Sequence, residues 1–379
     1  MKITLVTHSV YPESIGGREK YVYYLADALG KRGHDVKVLT CTSGLHARIK
    51  NYENFSVHYY PSFDIPLKNA RYRIPIGMSL MLLQDDADVI HAQDIHHFTT
   101  FASSLATRIR RKPFVVTEHG YPPLGGLMKV LIKVYDATLL KLIGKSSSRI
   151  IAVSDFIADE LKWRYNLDER KIIKLNNGMY EIDTRGGKIF VKKHSLENKR
   201  IILGIGRQTK EKGFQYLIEA FRKISKEFPN AVLVIIGPLS SYNTYLQGLA
   251  KNLGLSERII FTGPVSEEAL KSAMKNSEIV VIPSEYDPFP FVALESLSYG
   301  KPVVASDVGG LKEIFAHNVN GLLFKSRNSE DLASKMELLL RDKRLRKRLE
   351  RNSRKSLQRF NWGNFVDEME SIYEKCASN

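Results

Sequence analysis

Cysteine is nearly missing from this chain: Cys41 and Cys376 are the only two in 379 residues. They build no disulfide framework, and neither stands in a zinc-ligand spacing. Long apolar runs are missing too. No stretch reaches the roughly 18 residues that a membrane-spanning helix needs. The opening Met1-Lys2-Ile3-Thr4-Leu5-Val6-Thr7 reads as a strand and not as a secretory signal. The expectation is a cytoplasmic protein. Acid is in deficit: 57 Lys and Arg face 41 Asp and Glu, a formal net charge of +16. The excess favours anionic partners, whether nucleic acid, an anionic membrane surface or phosphorylated small molecules, unless it is simply a basic surface. No RNP, zinc-finger or helix-turn-helix signature accompanies it, which argues against a specific nucleic-acid reader.

What the chain does contain is a strand-then-helix rhythm, repeated in two series. Hydrophobic residues make up 43% of it, enough for packed cores, and the length suggests about two domains. In the first series the strands are Ile3 to Val6, "HDVKVLT", "VIHA" at 89–92, "FVVTEHG" at 114–120 and "RIIAVS" at 149–154, with a helix from about Glu19 to Lys31. The polar stretch 180–198, with Gly186-Gly187, reads as a connection. A second series follows: "RIILGIG", "AVLVIIG", "RIIFTG", "IVVIPS" and "PVVAS". Short apolar strands alternating with helices predict parallel sheets covered on both faces. The expected architecture is α/β, with two Rossmann-like doubly wound domains facing across a deep cleft. The expected domains are residues 1–185 and 186–360, with 361–379 a helix packing back on the first. Ligands of such sheets sit at the carboxyl ends of the strands.

Four stretches could carry chemistry there. In "LGIGRQTKEKGF" (203–214), Gly204 and Gly206 permit a tight turn, and Arg207 and Lys212 flank the entry to a helix. A phosphate at that helix start would meet two cations, though ordinary surface charge is an equal reading. Thr209 stands where a dinucleotide fingerprint needs glycine. Gly16-Gly17 forms a second glycine turn before a helix, either an anion cradle or a plain turn. His91, Asp94, His96, His97, Glu118 and His119 fall at strand ends. His119, beside Glu118 and before Gly120, is the better site candidate, and His91 a packed strand histidine. In "PSEYDPFPFVALESLSYGKPVVAS" (283–306), Asp287 lies in a loop and Glu295 in a helix opened by Pro290. Their spacing puts them at most about 12 Å apart, suited to two hydroxyl-bearing parts of one ligand. The amides of Phe291 and Val292 point out of the helix start, a seat for phosphate. Alternatively Asp287 caps the helix and Glu295 is a paired core carboxylate. Glu285 reads as a loop charge.

Taken in order, "IGGREKYVYYLADAL", "DVIHAQD", "IIAVSDFIADEL", "LNNGM", "GRQTKEKGFQYLIEAF", "FTGPV", "YDPFPFVALESLSYGKPVVASDVGGLKEI" and "NGLLF" resemble the retaining glycosyltransferases of family 4, of GT-B architecture, along nearly the whole chain. The resemblance implies a hexosyltransferase that moves a sugar from a UDP- or GDP-sugar to an acceptor hydroxyl, with retained configuration. It implies no metal and no cofactor beyond that co-substrate. Arg207 and Lys212 would hold the donor diphosphate, and Gly16 and Gly17 would approach its phosphates. Glu295 would hold the ribose hydroxyls, Asp287 and His119 would lie near the donor sugar, and the backbone around Gly263 would edge the nucleobase. There are three departures from the family pattern: Asp287 is one methylene shorter than the usual glutamate, Pro290 replaces a frequent glycine, and Gln93 replaces a common second histidine.

The acceptor half says less. "GGLMKVLIKVYDATLLKLIGK" (125–145) spaces Lys129, Lys133, Lys141 and Lys145 by multiples of four beside an apolar face. It reads as an interfacial helix on an anionic membrane, or as a sheet-packed helix with lysines in water. The basic runs 108–112 and 341–359 fit peripheral membrane contact, or a phosphorylated or lipid-linked glycan acceptor. A non-catalytic sugar-nucleotide binder and a GT-B epimerase or phosphorylase are the alternative functions.

Overall fold

The computed structural model describes residues 1–67, 70–120 and 133–378. The chain divides into two compact units: Met1–Gly178 together with the segment from Trp362 on, and Met179–Asn361.

The first unit is built on strands β1 (Lys2–Val6), β2 (Asp35–Thr42), β3 (Arg48–Asn51), β4 (Ser56–Leu67), β5 (Ala70–Pro75), β6 (Val89–Gln93), β7 (Phe114–Glu118), β8 (Arg149–Ala152) and β9 (Ile172–Lys174). They pair in the order β3-β4-β2-β1-β6-β7-β8-β9, with β5 on β4. Pairing is parallel from β4 through β9, while β3 and β5 each pair antiparallel with β4. The chain leaves β1 to one side for β2 and returns on the other side at β6. The loops after β1 and β6 are therefore neighbours, which is where a doubly wound sheet receives a ligand. The helix Trp362–Ala377 belongs to this unit. It buries Phe365, Val366, Met369, Ile372 and Tyr373, and Glu370 accepts from His34 at 2.7 Å and pairs with Arg32.

In the second unit β10 (Arg200–Ile205), β11 (Ala231–Ile236), β12 (Ile259–Gly263), β13 (Ile279–Ile282), β14 (Val303–Ser306) and β15 (Leu322–Phe324) form an all-parallel sheet, ordered β12-β11-β10-β13-β14-β15. The order in which the chain adds strands reverses between β10 and β13. The helix Phe214–Ile224 turns Phe214, Leu217, Ile218, Phe221 and Ile224 onto Ile202, Leu233 and Ile235 of that sheet. This is the apolar stripe that a 3.6-residue period demands, and each buried side chain contributes about 2 kcal/mol.

Three local expectations are corrected. Gly204 makes no turn: it lies inside β10, where a Cβ would stand 2.9 Å from the ring of Phe214, so its bare Cα is what lets that helix seat. Pro290 precedes the helix Phe291–Ser298 as its cap residue and is not in the first turn. Residues 179–185, read from the sequence with the first domain, lie with the second unit. Met179 donates to the Phe360 carbonyl at 2.7 Å and the Asp183 carbonyl accepts from Tyr299 at 3.3 Å. Of the lysine-spaced stretch 125–145, residues up to 132 lie outside the described ones. The remainder breaks at a turn at Thr138 before the helix Leu139–Ser146. Among the described residues no helix is long and apolar enough to cross a membrane.

Candidate active site

The second unit gathers its charged loops where the sheet reverses. Lys212 ends a short 3-10 turn, Lys210–Lys212, after β10, and Asp287 follows β13. Lys212 Nζ donates to Asp287 Oδ2 at 2.7 Å, and Ser284 Oγ donates to the same oxygen at 2.8 Å. Asp287 is buried, so its charge is met by one cation and one hydroxyl and does not cap the following helix. The approach of the two loops depends on Gly213. Its φ is +70°, and a Cβ there would lie 1.9 Å from the Pro283 carbonyl oxygen. Glu285 is no free loop charge: Gln215 Nε2 donates to it at 2.9 Å and Arg327 pairs with it at 2.8 Å. Gln215 ties the 283–290 loop to the helix Phe214–Ile224, and Arg327 ties it to the segment after β15.

Arg207, by contrast, is 56% exposed and only 3.8 Å from Glu211. Its loop is anchored by Gln208, whose backbone N–H donates to the Pro238 carbonyl at 2.9 Å and whose side chain donates to the Gly237 carbonyl at 3.3 Å. Gly263, with φ +65°, closes β12, and its carbonyl accepts from Gly237 N at 3.0 Å. Phe291 and Val292 open the eight-residue helix Phe291–Ser298, and the amides of a first turn have no intrahelical acceptor. Glu295 is half-buried on that helix and is not free of partners.

The first unit presents a denser network at its own reversal point. Gly16 caps the helix Gly17–Lys31, and a Cβ on it would stand 2.2 Å from Glu19 Oε2. The missing side chain makes room for Glu19, which accepts from Ser9 at 2.8 Å and from Arg18 at 3.1 Å. Arg18 also donates to Asp94 and lies 3.0 Å from His8 Nε2 and 3.2 Å from His97 Nε2. The His8 and His97 rings stack 4.2 Å apart. Burial works against the charges of Arg18 and Asp94, but their mutual attraction outweighs it. The guanidinium is held further toward its charged form and the Asp94 carboxyl far below the usual range. Asp94 takes φ +62°, which turns its carboxylate back to accept from His119 N at 3.1 Å.

The His119 and Tyr21 rings meet in a T-shape with centroids 4.8 Å apart, and His119 Nε2 lies 2.9 Å from Gln93 Oε1. Burial lowers it to about 4 and lowers His91 to about 3, so both are neutral at pH 7. Burial, reinforced by the Asp94 charge, pushes Glu118 up to about 8, although it accepts from Ile95 N and Gly120 N, each at 2.8 Å.

Of the residues singled out in the sequence, the fold brings Lys212 to Asp287. It brings the Gly16-Gly17 turn to His119 through Arg18 and Asp94. Arg207 lies 3.8 Å from Glu211 on its own loop. Arg18, Ser284 and His8 were not among the site candidates, and Gln93 was noted only as a departure from the family pattern. The sequence signals near them were Gln93 in place of a common second histidine and the crowding of His97 and Asp94 at one strand end.

Two Rossmann-like units, each with polar loops collected where the strand order of a parallel sheet reverses, are the architecture of the GT-B fold. The chain belongs to the family of glycosyl transferases group 1 and glycosyltransferase family 4, whose profiles match residues 187–356 and 15–180. It is 31% identical over 392 residues to an uncharacterized glycosyltransferase of Methanocaldococcus jannaschii, covering 99% of this chain and 98% of the relative. It is 27% identical over 390 residues to the N-acetyl-alpha-D-glucosaminyl L-malate synthase of Bacillus anthracis, covering 96% and 94%. The fold is shared with HepE of Anabaena, solved in complex with UDP and glucose, at TM-score 0.80 and 20% identity over 99% of this chain and 100% of that one.

Proposed function

We propose that the protein transfers a hexose from a UDP- or GDP-sugar to an acceptor hydroxyl with retained configuration and without a metal. The observation that carries this reading is the Lys212–Asp287–Ser284 cluster beside the start of the helix Phe291–Ser298, at the reversal point of the second sheet. HepE, of the same fold, has been solved with UDP and with UDP-glucose, which supports a nucleotide-sugar donor here.

In this reading Arg207, Lys212 and the Phe291 and Val292 amides hold the donor diphosphate. Glu295 takes the ribose hydroxyls, the backbone at Gly263 edges the base, and Asp287 and His119 address the sugar. Gly16 and Gly17 contact the donor phosphates. The bond between the anomeric carbon and the diphosphate oxygen breaks, and the acceptor oxygen bonds to that carbon on the same face. The acceptor proton passes to the leaving phosphate, which departs as the nucleoside diphosphate. Fixed cations and amides stabilise the charge growing on that group, as oxyanion holes do. The acceptor in this proposal is a lipid-linked or membrane-surface glycan, reached at the cytoplasmic membrane face. Exposed Leu80, Ile109 and Val134 and the cations at 108–112 support it.

The test is nucleotide release and thermal shift across a panel of UDP- and GDP-sugars, with and without EDTA. Release that persists in EDTA is expected. A thermal shift with no release from any donor would instead make the protein a non-catalytic binder.

A further inference from the structure

Behind His119 runs a chain of side chains that ends on the C-terminal helix. Gln93 Oε1 lies 2.9 Å from His119 Nε2, and Gln93 Nε2 lies 3.2 Å from His91 Nε2. Thr117 Oγ1 is 2.8 Å from that same nitrogen of His91, and His91 Nδ1 is 2.6 Å from the Tyr373 hydroxyl. His91, Gln93, Thr117 and Tyr373 are all buried, with relative exposures of 1% or less. Bulk solvent does not reach these four side chains, so the contacts within the chain set their hydrogen-bonding roles.

A neutral imidazole carries one N–H and one bare nitrogen, and its neighbours decide which is which. Burial keeps both rings neutral. The Gln93 carbonyl can only accept, so His119 Nε2 must be the nitrogen that carries the proton. The Gln93 amide can only donate, so His91 Nε2 is bare and receives Thr117 as well. His91 then carries its proton on Nδ1 and donates to Tyr373. Every role follows from one amide orientation.

We propose that Gln93 is a positioning residue that locks His119 as its Nε2–H tautomer, so that the ring offers the bound sugar a bare Nδ1, a hydrogen-bond acceptor. In that orientation His91 Nδ1 donates to the Tyr373 hydroxyl and His91 Nε2 accepts from the Gln93 amide, so His91 and Tyr373 complete the chain behind His119. The alternative orientation of the amide reverses every proton in the chain and would put an Nδ1–H donor on His119. The choice thus decides whether a sugar hydroxyl donates to this histidine or accepts from it. The consequence for sugar binding rests on the reading that His119 addresses the donor sugar; the tautomer does not.

The tautomer is measured directly by long-range nitrogen–proton NMR on the full chain labelled with 15N-histidine, with the His119 signals assigned from their loss in His119→Asn. Nε2 correlates with both carbon-bound ring protons, so the protonated nitrogen is identified by its shift and its pattern. The expected result is a proton on Nε2 in the wild type and in Gln93→Glu, whose carboxylate can accept it. In Gln93→Leu a mixture or Nδ1–H is expected. A wild-type proton on Nδ1, or an unchanged Nε2–H in Gln93→Leu, overturns the proposal. Should Gln93→Leu fail to fold, the wild-type and Gln93→Glu spectra still decide. With a donor that the wild type turns over, Gln93→Leu should lower kcat/KM about tenfold, the worth of one hydrogen bond, and Gln93→Glu should recover part of that loss. Equal loss in both variants would contradict the role in sugar binding. If no donor is turned over while the tautomer stands, the transferase reading fails and the positioning role survives.

Discussion

Lys212 and Asp287 were each readable as polar residues near a strand end, but their ion pair was not, because it joins positions 75 residues apart. It follows from the order of the sheet, which sets the loop after β10 beside the loop after β13. Asp287 is buried, and its pair partner Lys212 is about one-fifth exposed. Removing the lysine leaves a buried carboxylate with one hydroxyl. Lys212→Ala should therefore cost roughly 1–3 kcal/mol, less than a fully buried pair because solvent reaches the lysine. A drop of several degrees in Tm without ligand would check this. An unchanged Tm would mean that the pair does not hold the loop. Arg18 shows the opposite case. A lone arginine after two glycines carries no signal by itself, and its partners Asp94 and His97 only become neighbours once β1 and β6 pair. The shorter acid at 287, legible at once as a departure from the family pattern, now has a local meaning: its carboxylate sits where Lys212 and Ser284 both reach it.

Among the elements, the doubly wound rhythm was legible because its strands are continuous apolar runs. β3, β4 and β5 were not. Arg48–Asn51 is wholly exposed, with Ile49 its one apolar residue, and β4 and β5 pair antiparallel outside the alternating pattern. β9 and β15 have three residues each, too short for periodicity. The Gly16-Gly17 turn was legible, but not the Glu19 contact that requires Gly16, and Gly213 was not singled out at all. At Gly213 a side chain would meet backbone in a left-handed conformation, so Gly213→Ala should cost on the order of 2–3 kcal/mol and weaken nucleotide binding by displacing Lys212. Parallel denaturant melts and binding titrations would show it, and wild-type behaviour in both would remove the loop from the account.

The ends of β6 and β7 set a pH dependence. Glu118 titrates higher folded than unfolded, so the folded state holds its proton between about 4.5 and about 8. Stability from this group is present at low pH and is lost as pH rises through that interval. His8, His91, His97 and His119 are all lowered by burial. Their contribution has the opposite sign: it is present above the ordinary histidine value and is lost as pH falls below it. Chemical denaturation across pH should thus show a maximum near neutrality. Glu118→Gln should flatten the arm above about pH 6.5 and leave the acid arm in place. An alkaline arm that survives in Glu118→Gln would contradict the assignment.

For the molecule as a whole, the two-unit architecture and the membership of the glycosyltransferase family could be read before any coordinates, because the motifs recur in order along nearly the whole chain. The partners could not. A net charge of +16 says that something anionic is favoured, not what it is. Part of that charge is concentrated on the helix Lys343–Leu357, where Lys343, Arg344, Lys347, Arg351 and Lys355 are exposed and Glu350 is the sole acid. Each such cation near an anionic bilayer is worth about 1 kcal/mol, screened by salt. Flotation with vesicles containing anionic lipid should recover the protein at low salt and lose it as salt rises. Absence from the vesicles at low salt would remove the membrane from the acceptor proposal.

The central claim is that the second unit's loops hold a nucleotide-sugar donor for transfer. Nucleotide release from a panel of UDP- and GDP-sugars, by the wild type alongside Arg207→Ala and Glu295→Ala, tests it most directly. The account predicts release from at least one donor, slowed mainly at the chemical step by Arg207→Ala and weakened in nucleotide binding by Glu295→Ala. No release and no thermal shift with any donor, or full activity in both variants, would contradict it.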